Sequence, residues 1–226
     1  MSWFVGYVRS SVGAKQIMAL TGLGLVLFAL FHMLGHLGMF SGRDAYNSYA
    51  HFLQELGAIK WLARGGLLAL VVVHIAMAVA LTRANSSARP EKYVRQRYRR
   101  TTFAARTMAL TGLVVLAFIV YHLAHFTLGW IQPDSFHTLD GKGRYDAYAM
   151  FVAGFQRTPI LISYLVAVTL LCLHLAHGAG SWIQSLGFSH PKYQPVTAKA
   201  GPVIALVLIV GYLAPPLGVA FNLIKP

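Results

Sequence analysis

Five stretches of this chain are too long and too apolar to be ordinary surface helices: residues 15–40, 61–83, 106–130, 159–187 and 201–223. At about 1.5 Å of rise per residue, each can cross a hydrocarbon layer roughly 30 Å thick. Lipid gives the backbone no hydrogen-bond partners, so such segments must be helical. With 57% hydrophobic and only 11% charged residues, the chain reads as all-α, an integral membrane bundle of five transmembrane helices forming one domain over 1–226. Met1–Ser11 is a short polar lead without a small-residue cleavage site, and predicts a retained first helix. Thr158 before Pro159 reads as a cap and first-turn proline opening the fourth helix. Pro215 and Pro216 are expected to kink or end the fifth. The single cysteine, Cys172, sits among leucines and excludes an intrachain disulfide or a cysteine-held cluster.

Basic residues set the expected orientation. With the N-terminus inside, twelve of the 19 Lys and Arg face the cytoplasm, among them Arg9, Lys15, Arg83, Arg89, Lys92, Arg95, Arg97, Arg99, Arg100 and Arg106. The other seven face outward, so the bias favours N-terminus inside and C-terminus outside. The formal charge of +13 gathers in the loop after the second helix, where it suits anionic lipid or the acidic face of a soluble partner. No folded soluble module surrounds that loop, which argues against nucleic acid.

The chain repeats itself. Residues 18–32 and 108–122 open on the same six residues, Met-Ala-Leu-Thr-Gly-Leu, and each closes on a histidine, His32 or His122. Tyr46, Tyr49, Ala50 and Phe52 in the following loop answer to Tyr145, Tyr148, Ala149 and Phe151, and His74-Ile-Ala resembles His174-Leu-Ala. The repeated unit is helix, outer loop, helix, present twice and followed by a fifth helix.

That repeat sorts the ten histidines. His32 and His122 lie roughly 24 Å from the inner edge of their helices, and His74 and His174 roughly 20 Å from the outer edge of theirs. The two pairs therefore occupy different depths, on the order of 10–15 Å apart. An imidazole in lipid is costly unless partnered and tends to mark function. Two facing helices that each offer one axial histidine form the ligand set of a low-spin b-type haem, so two pairs predict two stacked haems enclosed by the duplicated unit. The alternatives are histidines that hydrogen-bond other helices or line a proton path. His36, His125 and His177 lie about one turn beyond His32, His122 and His174 and compete for the ligand roles. The repeat matches them instead to Phe126, Gly35 and Met77, leaving propionates, quinone, backbone groups or plain packing as their expected partners. His137 and His190 fall in loops. Gly22, Gly24, Gly112, Gly178 and Gly180 would let a flat macrocycle or another backbone approach, though small residues also pack membrane helices without a cofactor.

On these residues the chain resembles the di-haem cytochrome b anchor subunit of succinate dehydrogenase and fumarate reductase, in the form with one large five-helix anchor. The resemblance covers essentially the whole chain and rests on Phe31-His32-Met33-Leu34-Gly35, the loop Ala45-Tyr46-Asn47-Ser48-Tyr49-Ala50-His51-Phe52, and His74, His122 and His174. One departure is His36, where similar proteins are expected to carry asparagine. The resemblance implies a bacterial cytoplasmic-membrane subunit of a respiratory chain. It would pass electrons between an iron-sulfur subunit, joined to a flavoprotein subunit that interconverts succinate and fumarate, and a membrane quinone, with menaquinone favoured. It implies His32 and His122 on the distal haem, His74 and His174 on the proximal one, and Glu55 at a quinone site, where His51 or Gln54 could share in moving the protons that accompany quinone chemistry.

Connecting loops of at most about 30 residues are too short to fold as domains, so the dicarboxylate site would belong to a partner. Two other functions compete. A cytochrome b subunit of a formate dehydrogenase or hydrogenase would also use membrane histidines, but the Tyr46–Phe52 loop speaks against it. A haem-free transporter would use the repeat as two halves and the histidines for protons, yet both halves here share one topology and neither has interrupted helices.

Overall fold

The structure is a computed structural model and describes residues 2–88, 101–188 and 190–226. The basic cluster from Arg89 to Arg100, on which the orientation reading leans, lies outside the described residues. Among the described residues the fold is helical, with one isolated β-bridge between Leu139 and Tyr145. In chain order the helices are α1 (Trp3–Arg9), α2 (Ser11–Leu37), α3 (Arg43–Glu55), α4 (Ala58–Ser87), α5 (Phe103–Arg106), α6 (Met108–Phe126), α7 (Pro133–Phe136), α8 (Ala147–Phe155), α9 (Thr158–Ser185) and α10 (Gln194–Ala220), with a 3-10 turn over Gly38–Ser41. Five of them, α2, α4, α6, α9 and α10, are long and apolar enough to cross a membrane. Their outward surface carries large apolar side chains such as Leu20, Leu62, Leu68, Leu113, Ile162 and Leu206, all exposed. In water this much exposed apolar surface would be a liability, whereas lipid is its natural solvent. The chain has the build of a multi-pass membrane protein.

Helix ends depart from the hydropathy limits for local reasons. Helix α6 stops at Phe126, short of 130, because Gly129 takes a positive φ of 68° and the Leu128 and Trp130 amides turn back onto the carbonyls of Leu123 and Ala124. A residue in the left-handed region followed by such backward bonds is how many helices end. Helix α10 begins at Gln194 rather than at 201, and of the kink or end expected at Pro215 and Pro216 it does not end there but continues to Ala220. Its stop is Asn222, with φ 57°, where the Leu223 and Ile224 amides both return to the Gly218 carbonyl. The connections after the first and third spans, read from sequence as loops, contain α3 and α8.

Contacts divide the described chain into two compact units. One comprises residues 1–28, 64–111 and 173–205, and holds His74, His174 and His177. Its buried side chains are mostly small: Ala14, Ala19, Thr21, Thr111, Ala179 and Ala205. Here α9 and α10 meet backbone to backbone, since a Cβ on Gly201 would run into the Ala176 carbonyl oxygen.

The other unit comprises residues 29–63, 112–172 and 206–226, and holds His32, His36, His122 and His125. Its core is aromatic, built from Tyr46, Tyr148, Phe151, Phe155 and Tyr164 with Phe118, Tyr121 and Phe126 against them. Outside the membrane spans, α3 and α8 are tied by charge. Asn47 and Asp146, 0% and 1% exposed, are bonded Nδ2 to Oδ1 at 2.9 Å. Asp146 Oδ1 also caps α8 by accepting from the Ala149 amide, and the Asn47 side-chain oxygen accepts from the Tyr148 amide at 2.9 Å. Arg43 pairs with Asp146, and Arg144 with both Asp140 and Asp44. Burial pushes the Asp146 carboxyl up, but its bonds from Arg43, Asn47 and Ala149 outweigh that and hold it below the ordinary carboxylate range.

Candidate functional site

In the first unit, α2 faces α4 through Thr21 and α6 faces α9 through Thr111. Thr21 Oγ1 stands 3.2 Å from Nδ1 of His74, and Thr111 Oγ1 stands 3.2 Å from Nδ1 of His174. The repeat aligns both the threonines and the histidines, and the two bonds have the same length and the same atoms. Their direction follows from the backbone. Each hydroxyl has one proton, and each gives it to its own helix: Thr21 to the carbonyl of Ile17 at 2.8 Å, and Thr111 to that of Thr107 at 3.0 Å. Toward the ring the oxygen can only accept, so Nδ1 carries the imidazole proton in both histidines and Nε2 keeps its lone pair. Gly22, next to Thr21, leaves room for the ring, since a Cβ there would lie 3.2 Å from Cε1 of His74. This is how a metal-binding imidazole is normally prepared, with one nitrogen tied and the other free.

In the second unit, His32 of α2 and His122 of α6 face each other with ring centroids 5.8 Å apart and planes at 86°. Metal–imidazole bonds of about 2.0–2.1 Å put the ring centroids of two opposed ligands about 6 Å apart, so this pair has the spacing of an axial set. His122 Nδ1 lies 3.3 Å from the Tyr164 hydroxyl, and that hydroxyl lies 3.0 Å from Nδ1 of His125. His125 is 1% exposed and its Nε2 meets Gln132 Oε1 at 2.8 Å. Both its nitrogens are engaged, which leaves none for a metal. His36 is placed differently from His125: its Nδ1 bonds the Tyr46 hydroxyl at 2.9 Å, while its Nε2 stands 3.2 Å from Nε2 of His32. It occupies the Nε2 side of His32.

A cavity of about 200 Å³ lies among His32, His36, Tyr46, His122, Phe126 and Phe151, below the roughly 300–1,000 Å³ of pockets that hold drug-sized ligands. The donor chemistry of the two pairs would suit a b haem, and a ring between His32 and His122 would require His36 to move. A second cavity, of about 430 Å³, is bounded by Phe31, Leu34, Gly35, Ser41, Tyr46 and Tyr49. Among the described residues no group of three or more His, Cys, Asp or Glu is placed to hold a metal ion by itself. Two axial histidines do not need such a group, because the porphyrin supplies the remaining donors.

The proposed quinone residues lie on α3 and its end. His51, Gln54 and Glu55 are all exposed, and none lines either cavity. His177 is half-buried on α9, and His137 and His190 are exposed. Thr21, Thr111, Tyr164 and Gln132 touch these histidines and are not singled out by the sequence alone. The threonines were within reach, standing inside the six residues common to both repeats. Tyr164 was not, since its aligned position in the first repeat is Arg64.

Comparison of the chain with protein-family models, with curated proteins and with solved structures finds no match.

Proposed function

We propose that the chain is the membrane-anchor and electron-transfer subunit of a succinate:quinone oxidoreductase, a duplicated helix–loop–helix unit plus a fifth helix that carries two b haems. His74 and His174 hold the proximal haem, and His32 and His122 the distal one. The observation that carries this reading is the matched pair of bonds from Thr21 to His74 and from Thr111 to His174. A histidine that merely packs has no need for its proton on one chosen nitrogen, and two repeat-related histidines arranged alike point to a shared ligand. When bound, the haems supply one-electron steps at low-spin iron. The chain's own residues do the rest: they tie Nδ1 of His74, His174 and His122, and place aromatic side chains around the His32–His122 pair.

The electrons are proposed to pass between an iron-sulfur subunit, itself joined to a flavoprotein subunit bearing the dicarboxylate site, and a quinone, with menaquinone favoured. The bacterial cytoplasmic membrane, with the N-terminus inside, belongs to the same reading. Quinone is proposed to approach along α3, which bears His51, Gln54 and Glu55 and lines the 430 Å³ cavity through Tyr46 and Tyr49. A transporter built from repeats binds its cargo at interrupted helices, whereas α2, α4, α6, α9 and α10 each run unbroken for 19 to 30 residues.

A reduced-minus-oxidised absorption spectrum of the purified complex, with haem counted per polypeptide, tests this directly. Two b haems are expected in the wild-type protein, with one lost in His32→Ala and the other in His74→Ala. A His36→Asn variant is expected to keep both, and loss of a haem there would pass the ligand role from His32 to His36. A colourless wild-type protein sinks the reading and brings the transporter forward.

A further inference from the structure

We propose that Gln132, His125 and Tyr164 are positioning residues for His122, a buried hydrogen-bond chain that presents its Nε2 to iron and sets the potential of the haem it ligates. This deepens the di-haem reading above and rests on it. The chain runs Gln132, His125, Tyr164, His122, and the first three side chains are almost fully buried, at 3%, 1% and 5% exposure.

Each link has a direction, and the far end decides it. Gln132 Nε2 donates to the Ala153 carbonyl at 3.2 Å, which turns Oε1 toward His125. An amide oxygen has no proton to give, so His125 Nε2 must donate across the 2.8 Å gap. A buried ring without a carboxylate partner is neutral and carries one proton, so His125 Nδ1 is bare and accepts the Tyr164 hydroxyl proton over 3.0 Å. Tyr164 has then spent its only proton. Toward His122 it can only accept, and the 3.3 Å contact places a proton on His122 Nδ1 and leaves Nε2 free. The room for this arrangement comes from Gly154 of α8, where a Cβ would lie 3.2 Å from both Gln132 Oε1 and His125 Cε1. His125 thereby acquires a role other than ligand.

The consequence for the haem follows from ligand basicity. An imidazole whose Nδ1–H is given to an acceptor is a stronger donor through Nε2, and a stronger donor favours the oxidised iron and lowers the potential. Tyr164→Phe removes the acceptor while keeping the ring that packs on Phe118 and Phe155, at 5.2 and 5.0 Å between centroids. Gln132→Leu leaves Tyr164 in place but releases His125 from its fixed tautomer.

Potentiometric titration of the purified complex, following both b haems by absorption and by their low-spin electron paramagnetic resonance signals, tests the chain. In Tyr164→Phe the haem that is missing from His122→Ala is expected to shift positive with an altered resonance signal, while the other haem keeps both values. Gln132→Leu is expected to shift the same haem in the same direction by less. Unchanged potentials in Tyr164→Phe, equal shifts of both haems, or partial haem loss with no shift in what remains would each overturn the proposal. If Tyr164→Phe takes up no haem at His122, Gln132→Leu decides alone, and an unshifted potential there is equally fatal. Wild-type protein without b haem is a different failure: it removes the di-haem reading before any variant is made.

Discussion

The two units solve the same task with different materials. Around His74 and His174 the partners of Nδ1 are two threonines, one helix away, each backed by its own helix carbonyl. Around His122 the partner is the end of a chain of three side chains drawn from α9, α6 and the segment before α7. The packing differs in the same sense. Small residues bring backbones together in the first unit, whereas rings fill the second. A threonine that is bonded to its own helix has few ways to relax, so the histidine tautomer it selects is set locally. The longer chain depends on every member, and so offers more places where the tautomer of His122 can be lost.

The largest effect expected from breaking this contrast lies at the charged tie of the second unit. Asp146→Ala leaves the α8 cap without its acceptor and reduces the buried Asn47 amide to its 3.3 Å bond to Asp140, and should cost about 2–5 kcal/mol, the sum of a helix cap and a charge-assisted bond. Hydrogen exchange at the α3 and α8 amides would report it, and protection equal to wild type would refute it. Acid should act in the same direction. The folded carboxyls of Asp146 and Asp140 sit below their ordinary values, Asp140 mainly through its bond from Arg144. Their contribution is therefore complete above the unfolded value of about 3.9 and is lost as pH falls through the lower folded values.

Next in size is the threonine tie. Thr21→Val keeps shape but removes the hydroxyl acceptor at His74 Nδ1, and removing such an outer partner typically lowers metal affinity 10–100-fold, or about 1.4–2.8 kcal/mol. Thr111→Val should match it on the same haem. Haem titration of the two variants would break the equivalence if only one responded.

The smallest effect concerns packing. Gly201→Ala drives a Cβ into the Ala176 backbone and should destabilise the first unit by about 1–3 kcal/mol. Gly211→Ala meets only the flexible thioether of Met33 and should cost less, under about 1 kcal/mol. Thermal unfolding in detergent that ranks the two the other way would show that backbone contact is not what holds the first unit.

Hydropathy alone marks the five spans, because length and apolar composition are properties of contiguous residues. The same is true of the register that sorts His32, His74, His122 and His174, since a repeat aligns positions without knowing the fold. Where sequence reading stopped short, the cause was a bond between residues far apart in the chain or a local turn. Helix α10 runs on past Pro215 and Pro216, so of the kink or end expected there it does not end. The helical content of the connections after the first and third spans is hidden as well, because Asn47 and Asp146 look like polar loop residues until each is seen to satisfy the other.

The sequence by itself determined an all-helical chain with five membrane-length helices and four histidines at repeat-related positions. Only the tertiary structure decided what meets the second nitrogen of each ring. Tyr164 lies 42 residues from His122, and Thr21 lies 53 from His74. No periodicity links residues so far apart. Their meeting is set by how helices pack, and a hydrogen bond exists only where packing brings donor and acceptor within about 3 Å.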